Sequence, residues 1–205
     1  MNTPSHWLMT MAGAKWLKIK SPPRLALALG SIAPDLALGF LSFGGIWYFR
    51  RVLGWSSEKT FPHLFKNLFY NHPGWIIPHN LFHSPTSLIL MISLAWFLIK
   101  LSQQGGRMFA VARWALYFLF ACLFHSMIDI VTHFDDGPLL LFPFNWSWRF
   151  SSPVSYWDPA HFGRPFMFFE AGLDLLLIGF LVFNSIRSRK KRKNAALDHD
   201  VDSSV

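Results

Sequence analysis

Residues 108–131 read MFAVARWALYFLFACLFHSMIDIV. A bilayer crossing takes about 20 mostly apolar residues as one helix, and this stretch supplies them. Its last third carries His125 and Asp129. An ionisable group inside a span costs roughly 2.5 kcal/mol or more unless it is paired or functional. One segment therefore sets the fold class and opens the question of a site. Working outward, residues 165–186, PFMFFEAGLDLLLIGFLVFNSI, are a second full-length span. Residues 86–101, TSLILMISLAWFLIKL, are shorter and need Ser84 as cap and Pro85 in the first turn. Residues 25–49 are apolar as well, but Pro34 interrupts them. Proline removes a helical donor and restrains the residue before it. Two helices meeting at an Ala33-Pro34-Asp35 corner are expected there. A further helix is expected from Thr3-Pro4-Ser5-His6 to about Lys18, with Pro22 and Pro23 turning the chain back. That hairpin brings His6 level with Asp35.

The composition agrees. Of 205 residues, 52% are hydrophobic, 18% aromatic and 15% charged, against about 25% charged in a typical soluble domain. Mean hydropathy is +0.29. Disordered, coiled-coil and collagenous classes are excluded. The single Cys, Cys122 in ALYFLFACLF, rules out an intrachain disulfide and a multi-Cys zinc site; it reads as a buried, inert thiol. There is no P-loop, dinucleotide fingerprint or Gly-x-Ser-x-Gly elbow.

The net charge of +8 is clustered. Residues 187–193, RSRKKRK, hold six of the 19 Lys and Arg. A basic run after an apolar helix reads as nucleic-acid binding or as a positive-inside anchor; the span just upstream favours the anchor, and no nucleic acid is expected. Lys15, Lys18, Lys20 and Arg24 share a turn, Arg50 and Arg51 end another helix, and Lys100, Arg107 and Arg113 bracket a connection. An up-and-down path puts all of them on one face, the cytoplasm. His6, Asp35, residues 79–83, the end of the 108–131 span and the 134–164 loop fall on the other. The late basic residues and Pro34 at the would-be cut argue against a cleaved leader. The expected organisation is a helical membrane domain over 1–186 and a basic, disordered cytoplasmic tail over 187–205. Residues 52–78 read as an interfacial segment returning to the far face. Trp146, Trp148 and Trp157 suit a membrane-boundary belt and equally the lid of a lipid-facing site.

The polar residues fall into groups. His125-Ser-Met-Ile-Asp129-Ile-Val-Thr-His133 places two imidazoles and a carboxylate four residues apart on one helix face. Such a set suits zinc and other first-row ions, and equally a buried polar network joining helices. His79 and His83 are also four apart, between Pro78 and Pro85, in an isolated turn or loop, and read equally as surface histidines or as ligands. Glu170 and Asp174 sit four apart in the last span, where paired carboxylates share a proton, face a cation or do acid–base work, or equally serve a structural, hydrogen-bonded role. His63, His72, His161 and His199 lack a partner at helical spacing and read as surface or interfacial residues.

The order of Ser5-His6, Ala33-Pro34-Asp35, His79-Asn80-Leu81-Phe82-His83-Ser84, His125 to Asp129 and Pro138-Leu-Leu-Leu-Phe-Pro143 resembles the bacterial membrane-bound metal-dependent hydrolases, the group that includes the LexA-regulated inner-membrane hydrolase-like proteins. The resemblance covers about residues 5–175. The His-x-x-x-Asp-x-x-x-His run is also distantly similar to the zinc core of zinc-dependent phospholipase C and related all-helical nucleases. Many relatives carry Asp-x-Asp-His after the proline; Asp35-Leu36-Ala37-Leu38 here lacks two of those ligands. The resemblance implies an all-α, polytopic inner-membrane bundle, with the site on the extracytoplasmic side. It implies a divalent ion, zinc first, held by His6, Asp35, His79, His83, His125 and Asp129. Asp35 or Glu170 would act as general base. A water activated by the metal would then attack an ester or phosphoester bond, in a substrate that the lipid surroundings make lipid-borne. Two rivals stand beside it, a non-catalytic scaffold with a structural network and a cation or proton transporter. A haem protein is a smaller alternative. The metal, the substrate, the oligomeric state and the roles of His133 and Asp174 stay open.

Overall fold

The structure is a computed structural model that describes residues 1–20 and 22–202, with the backbone alone for 191–193 and 195–202. Nine α-helices occur in it: α1 Thr3–Trp16, α2 Pro23–Gly30, α3 Ala33–Trp47, α4 Ser57–Pro62, α5 Phe69–Asn71, α6 Pro73–Leu81, α7 Pro85–Leu101, α8 Arg107–Thr132 and α9 Gly163–Asp202. Single π-helical segments, Tyr48–Val52 and His63–Leu68, follow α3 and join α4 to α5. Among the described residues there is no strand beyond one isolated bridge, Leu139 with Arg149. The all-α class stands.

Two helices, Arg107–Thr132 and the Gly163–Lys190 part of α9, are long and apolar enough to cross a membrane. Two bent pairs, α2 with α3 and its π turn (42°) and α6 with α7 (50°), bring the count to four if each pair is one span. Prolines make both bends. Pro34 and Pro85 stand in the first turns of α3 and α7, where the missing N–H has no helical acceptor to lose. The corner expected at Ala33-Pro34-Asp35 lies slightly earlier, at Ser31 and Ile32, and Asp35 opens α3. The His79–His83 stretch, expected as an isolated turn, is the end of α6 and the bend after it, because Pro73 starts a helix that carries Pro78 within it. Ser84 takes the N-cap position of α7, but its hydroxyl donates to the Phe142 carbonyl instead.

Packing around α8 positions the site. α7 meets α8 through Leu88, Ala95, Leu119 and Cys122. α2 crosses α8 so closely that a Cβ on Gly30 would lie 2.1 Å from the Phe118 carbonyl oxygen and 2.9 Å from the Ala121 Cβ. Only glycine permits that approach, the small-residue contact by which helices pack in lipid. The 133–162 loop is bound back onto the helices beneath it. Asn80 Oδ1 accepts from the Leu139 N–H at 2.9 Å, Thr86 donates to the Leu140 carbonyl at 2.7 Å, and Ser87 donates to the Phe142 carbonyl. α9 is different. Its contacts run along α1, and Phe168, Phe169, Leu175, Leu176, Val182 and Phe183 are all exposed, as a lipid-facing helix requires. Helical backbone continues through the basic run to Asp202, where a disordered tail was expected; Lys, Arg, Ala and Leu there are good helix formers. The last three residues of that expected tail lie outside the described residues.

Candidate metal centre

Three helices and one bend deliver polar side chains to one buried point. α8 contributes Asp129, 1% exposed, and His125, fully buried. α1 brings His6, α3 brings Asp35, and the α6–α7 bend brings His83. Asp129 is the hub. Its Oδ1 lies 2.9 Å from His6 Nε2, and its Oδ2 lies 3.0 Å from both His83 Nε2 and His125 Nε2. The Met1 nitrogen is 2.9 Å from Oδ1 and 3.0 Å from Thr132 Oγ1. Asp35 Oδ1 faces His125 Nε2 at 3.4 Å, and Thr3 donates its hydroxyl to Asp35 Oδ2.

His125 decides what this arrangement can hold. Its Nδ1 lies 2.7 Å from the Ser31 carbonyl oxygen. A carbonyl only accepts, so Nδ1 carries the hydrogen. In the neutral ring, Nε2 then bears a lone pair, and it points at the carboxylates of Asp129 and Asp35. Lone pair against carboxylate is repulsive unless a proton or a cation lies between them. The His6 and His125 rings are stacked, with centroids 3.6 Å apart and planes within 12°. Two imidazolium rings at that separation would repel, but only His125 needs that charge: a neutral His6 can donate to Asp129 from Nε2, since its Nδ1 has no partner. A proton on His125, or a cation shared between its Nε2 and the carboxylates, satisfies the contact. Two ligands on one tetrahedral zinc, bound at roughly 2.0–2.2 Å, lie about 3.3–3.6 Å apart, within a few tenths of an ångström of these separations.

Two trios, His6–His125–Asp129 and Asp35–His83–Asp129, each place their donor atoms within 4.8 Å of one another and could hold a metal ion. Five of the six expected ligands thus converge. His79 joins neither trio; it is buried behind His83, with ring centroids 4.8 Å apart and its Nδ1 unpartnered. His133, whose role was open, caps α8. Its Nδ1 donates to the Asp129 carbonyl at 3.0 Å, and burial lowers its pKa to about 4, leaving the ring neutral. Glu170 stands outside both trios, with one oxygen accepting from the Asn2 N–H at 2.7 Å and the other from the Asn2 side chain at 2.8 Å. Asp174 accepts from Ser5 at 2.9 Å. Sequence reasoning missed Asn2, Thr3 and the Ser31 carbonyl. The short polar run Asn2-Thr3-Pro4-Ser5 before an apolar chain was the available signal; a backbone carbonyl leaves none.

A polytopic helical membrane protein with a buried histidine–aspartate centre is the class these features define. The chain belongs to the YdjM inner membrane protein family, which matches residues 1–195. No curated protein and no solved structure matches it.

Proposed function

We propose that the protein is a metal-dependent hydrolase of the inner membrane, acting on an ester or phosphoester bond carried by a lipid. The observation that carries this reading is the His125 imidazole, fixed by Ser31 so that Nε2 is aimed between Asp35 and Asp129. His6, His83, His125, Asp35 and Asp129 would hold the ion, with zinc the best match to mixed imidazole and carboxylate donors. A divalent ion so held supplies Lewis acidity and a water acidified toward about pH 7. The chain's own groups do the rest. Ser31 fixes the His125 tautomer, and Asp129 orients three imidazoles at once. Asp35 is the better proton acceptor: its side chain is 26% exposed, against 1% for Asp129, while both Glu170 oxygens are already occupied by Asn2. Thr3 holds the second Asp35 oxygen and so aims the first.

Orientation belongs to the same proposal. The basic clusters of residues 15–24, 50–51, 100–113 and 187–190 occupy helix ends remote from the cluster, and the positive-inside rule then puts the cluster on the extracytoplasmic side.

The test is metal analysis by mass spectrometry on the purified full chain, wild type against His125→Ala, together with hydrolysis of phosphodiester and phospholipid probes. Stoichiometric divalent metal in the wild type, lost in the variant, and chelator-sensitive hydrolysis are expected. A metal-free wild type indifferent to chelator would overturn the reading in favour of a structural network. Metal without turnover, with ion flux in proteoliposomes that Asp129→Asn abolishes, would favour transport.

A further inference from the structure

The bundle end remote from the cluster holds a cavity of a different kind. It measures about 380 Å³ and opens where α1, α2 and α9 meet. Lys15, Arg24 and Arg189 line it, and no carboxylate does. Lys15 Nζ donates to Ser188 Oγ at 3.3 Å, which turns the ammonium inward along the α1–α9 seam. Among the described residues no Lys or Arg pairs with a carboxylate. Three cations around one small volume repel one another, and an anion between them relieves that repulsion and accepts charge-assisted hydrogen bonds from each.

The other wall is apolar, and its position identifies the anion's carrier. Trp7 lies eight residues before Lys15 on α1, and Leu181 lies eight before Arg189 on α9. At 1.5 Å per residue both apolar groups sit about 12 Å deeper along their helices than the cations. Arg189 is at the last turn of the stretch of α9 that can cross the membrane. The cavity is therefore graded, cationic at the membrane edge and apolar below, in the order of a phosphate and the chains attached to it.

We propose that this cavity binds the phosphate of an anionic phospholipid, with Lys15, Arg24 and Arg189 as its ligands. It is independent of the metal centre.

The test is native mass spectrometry of the full chain from neutral detergent, with phosphatidylglycerol, phosphatidylcholine or inorganic phosphate added. Arg24→Gln/Arg189→Gln is compared with Arg50→Gln/Arg51→Gln, which removes the same charge elsewhere. Phosphatidylglycerol should bind the wild type in preference to phosphatidylcholine, about tenfold more weakly in the first variant, and within about twofold of wild type in the second. Lys15→Gln alone gives a milder second variant should the double one fail to fold, with the same direction expected. Equal weakening in both double variants would reduce the effect to general surface charge and overturn the proposal. So would equal retention of the two lipids, or displacement of phosphatidylglycerol by millimolar inorganic phosphate at no cost to the variants.

Discussion

The two long spans, α8 and α9, both carry ionisable residues four apart, and the structure uses them in opposite ways. In α8, His125 and Asp129 face inward and meet three other segments. In α9, Glu170 and Asp174 each take one partner from the start of α1, Asn2 and Ser5, while Leu175, Leu176, Val182 and Phe183 face outward. The same spacing on a span thus serves a centre in one helix and a hook in the other. What separates them is backbone approach. At the crossing of α2 and α8, Gly30 of α2 meets Ala121 of α8, so a neighbouring carbonyl can reach His125. α9 has no such crossing and is held by side chains.

The largest effect that would break this contrast is at Asp129. Asp129→Asn keeps the shape but removes the charge on which three imidazoles converge. Its loss of metal affinity should exceed the roughly 10–100-fold that losing a supporting group costs. Asp174→Asn, the matching change in α9, should leave metal content at the wild-type level. Mass spectrometry of the two purified variants checks both, and equal losses would erase the distinction between centre and hook.

Next is the crossing itself. Gly30→Ala puts a methyl inside contact distance of the Phe118 carbonyl, and the backbone, unlike a flexible side chain, cannot swing aside. A destabilisation of about 1–3 kcal/mol is expected from overpacking, read as a lower Tm in detergent. Because Ser31 follows Gly30 directly, its carbonyl should move off His125, and metal affinity should fall together with Tm. A variant that loses stability but holds metal as tightly as wild type would show that the Ser31 contact does not set the His125 tautomer.

Glu170→Ala is expected to be milder. It frees the Asn2 N–H and side chain, at about 1–3 kcal/mol for a partly buried group left unpaired. Hydrogen exchange should speed up at Asn2 and at the start of α9, with metal content kept. Loss of metal in this variant would draw Glu170 into the centre after all.

How much of this was legible in the sequence follows from which contacts leave a periodic trace. His125, Asp129 and His133 lie on one turn-by-turn row, and proline marks both bends that carry Asp35 and His83 to the hub, so the convergence could be read along the chain. Glu170 could not be read the same way. Its partner, Asn2, lies 168 residues away, and four-residue spacing says only that two carboxylates share a face, not what faces them. His79 could not be placed either: its ligand role came from the resemblance, and α6 ends at Leu81, between the two histidines, which the spacing alone does not reveal. Pro85 bends the chain just after His83, and the two rings end up edge to face instead of side by side. Close approach at Gly30 leaves only a glycine, which a sequence uses for many ends.

The smallest expected effect concerns the hinge between the two spans. Ser155 donates its N–H to the His161 carbonyl, Tyr156 donates to the Thr132 carbonyl at the end of α8, and Gly163, which begins α9, donates to the Asp158 carbonyl. Gly163 has no room for a side chain there, since a Cβ would lie 2.6 Å from that oxygen. Asp158 pins the turn. One carboxylate oxygen meets His161 Nδ1 at 2.7 Å and the other accepts from the Ala160 N–H at 2.9 Å. The His161 contact, and then the Ala160 bond, hold the Asp158 carboxyl below the usual carboxylate range. A carboxyl with its folded pKa below its unfolded one stabilises the fold above the unfolded value. That contribution fades as pH falls through the folded value. Protection of the Ala160 and Gly163 amides against hydrogen exchange should therefore drop below about pH 4 in the wild type, relative to amides inside α8. Asp158→Asn keeps the Ala160 hydrogen bond but cannot titrate, so its protection should be slightly lower at neutral pH and flat across the same range. The pair is only partly buried and lies in the loop, so the change should stay local. A drop that spread into α8 would mean that the hinge, and not the Gly30 crossing, sets the register of the two spans.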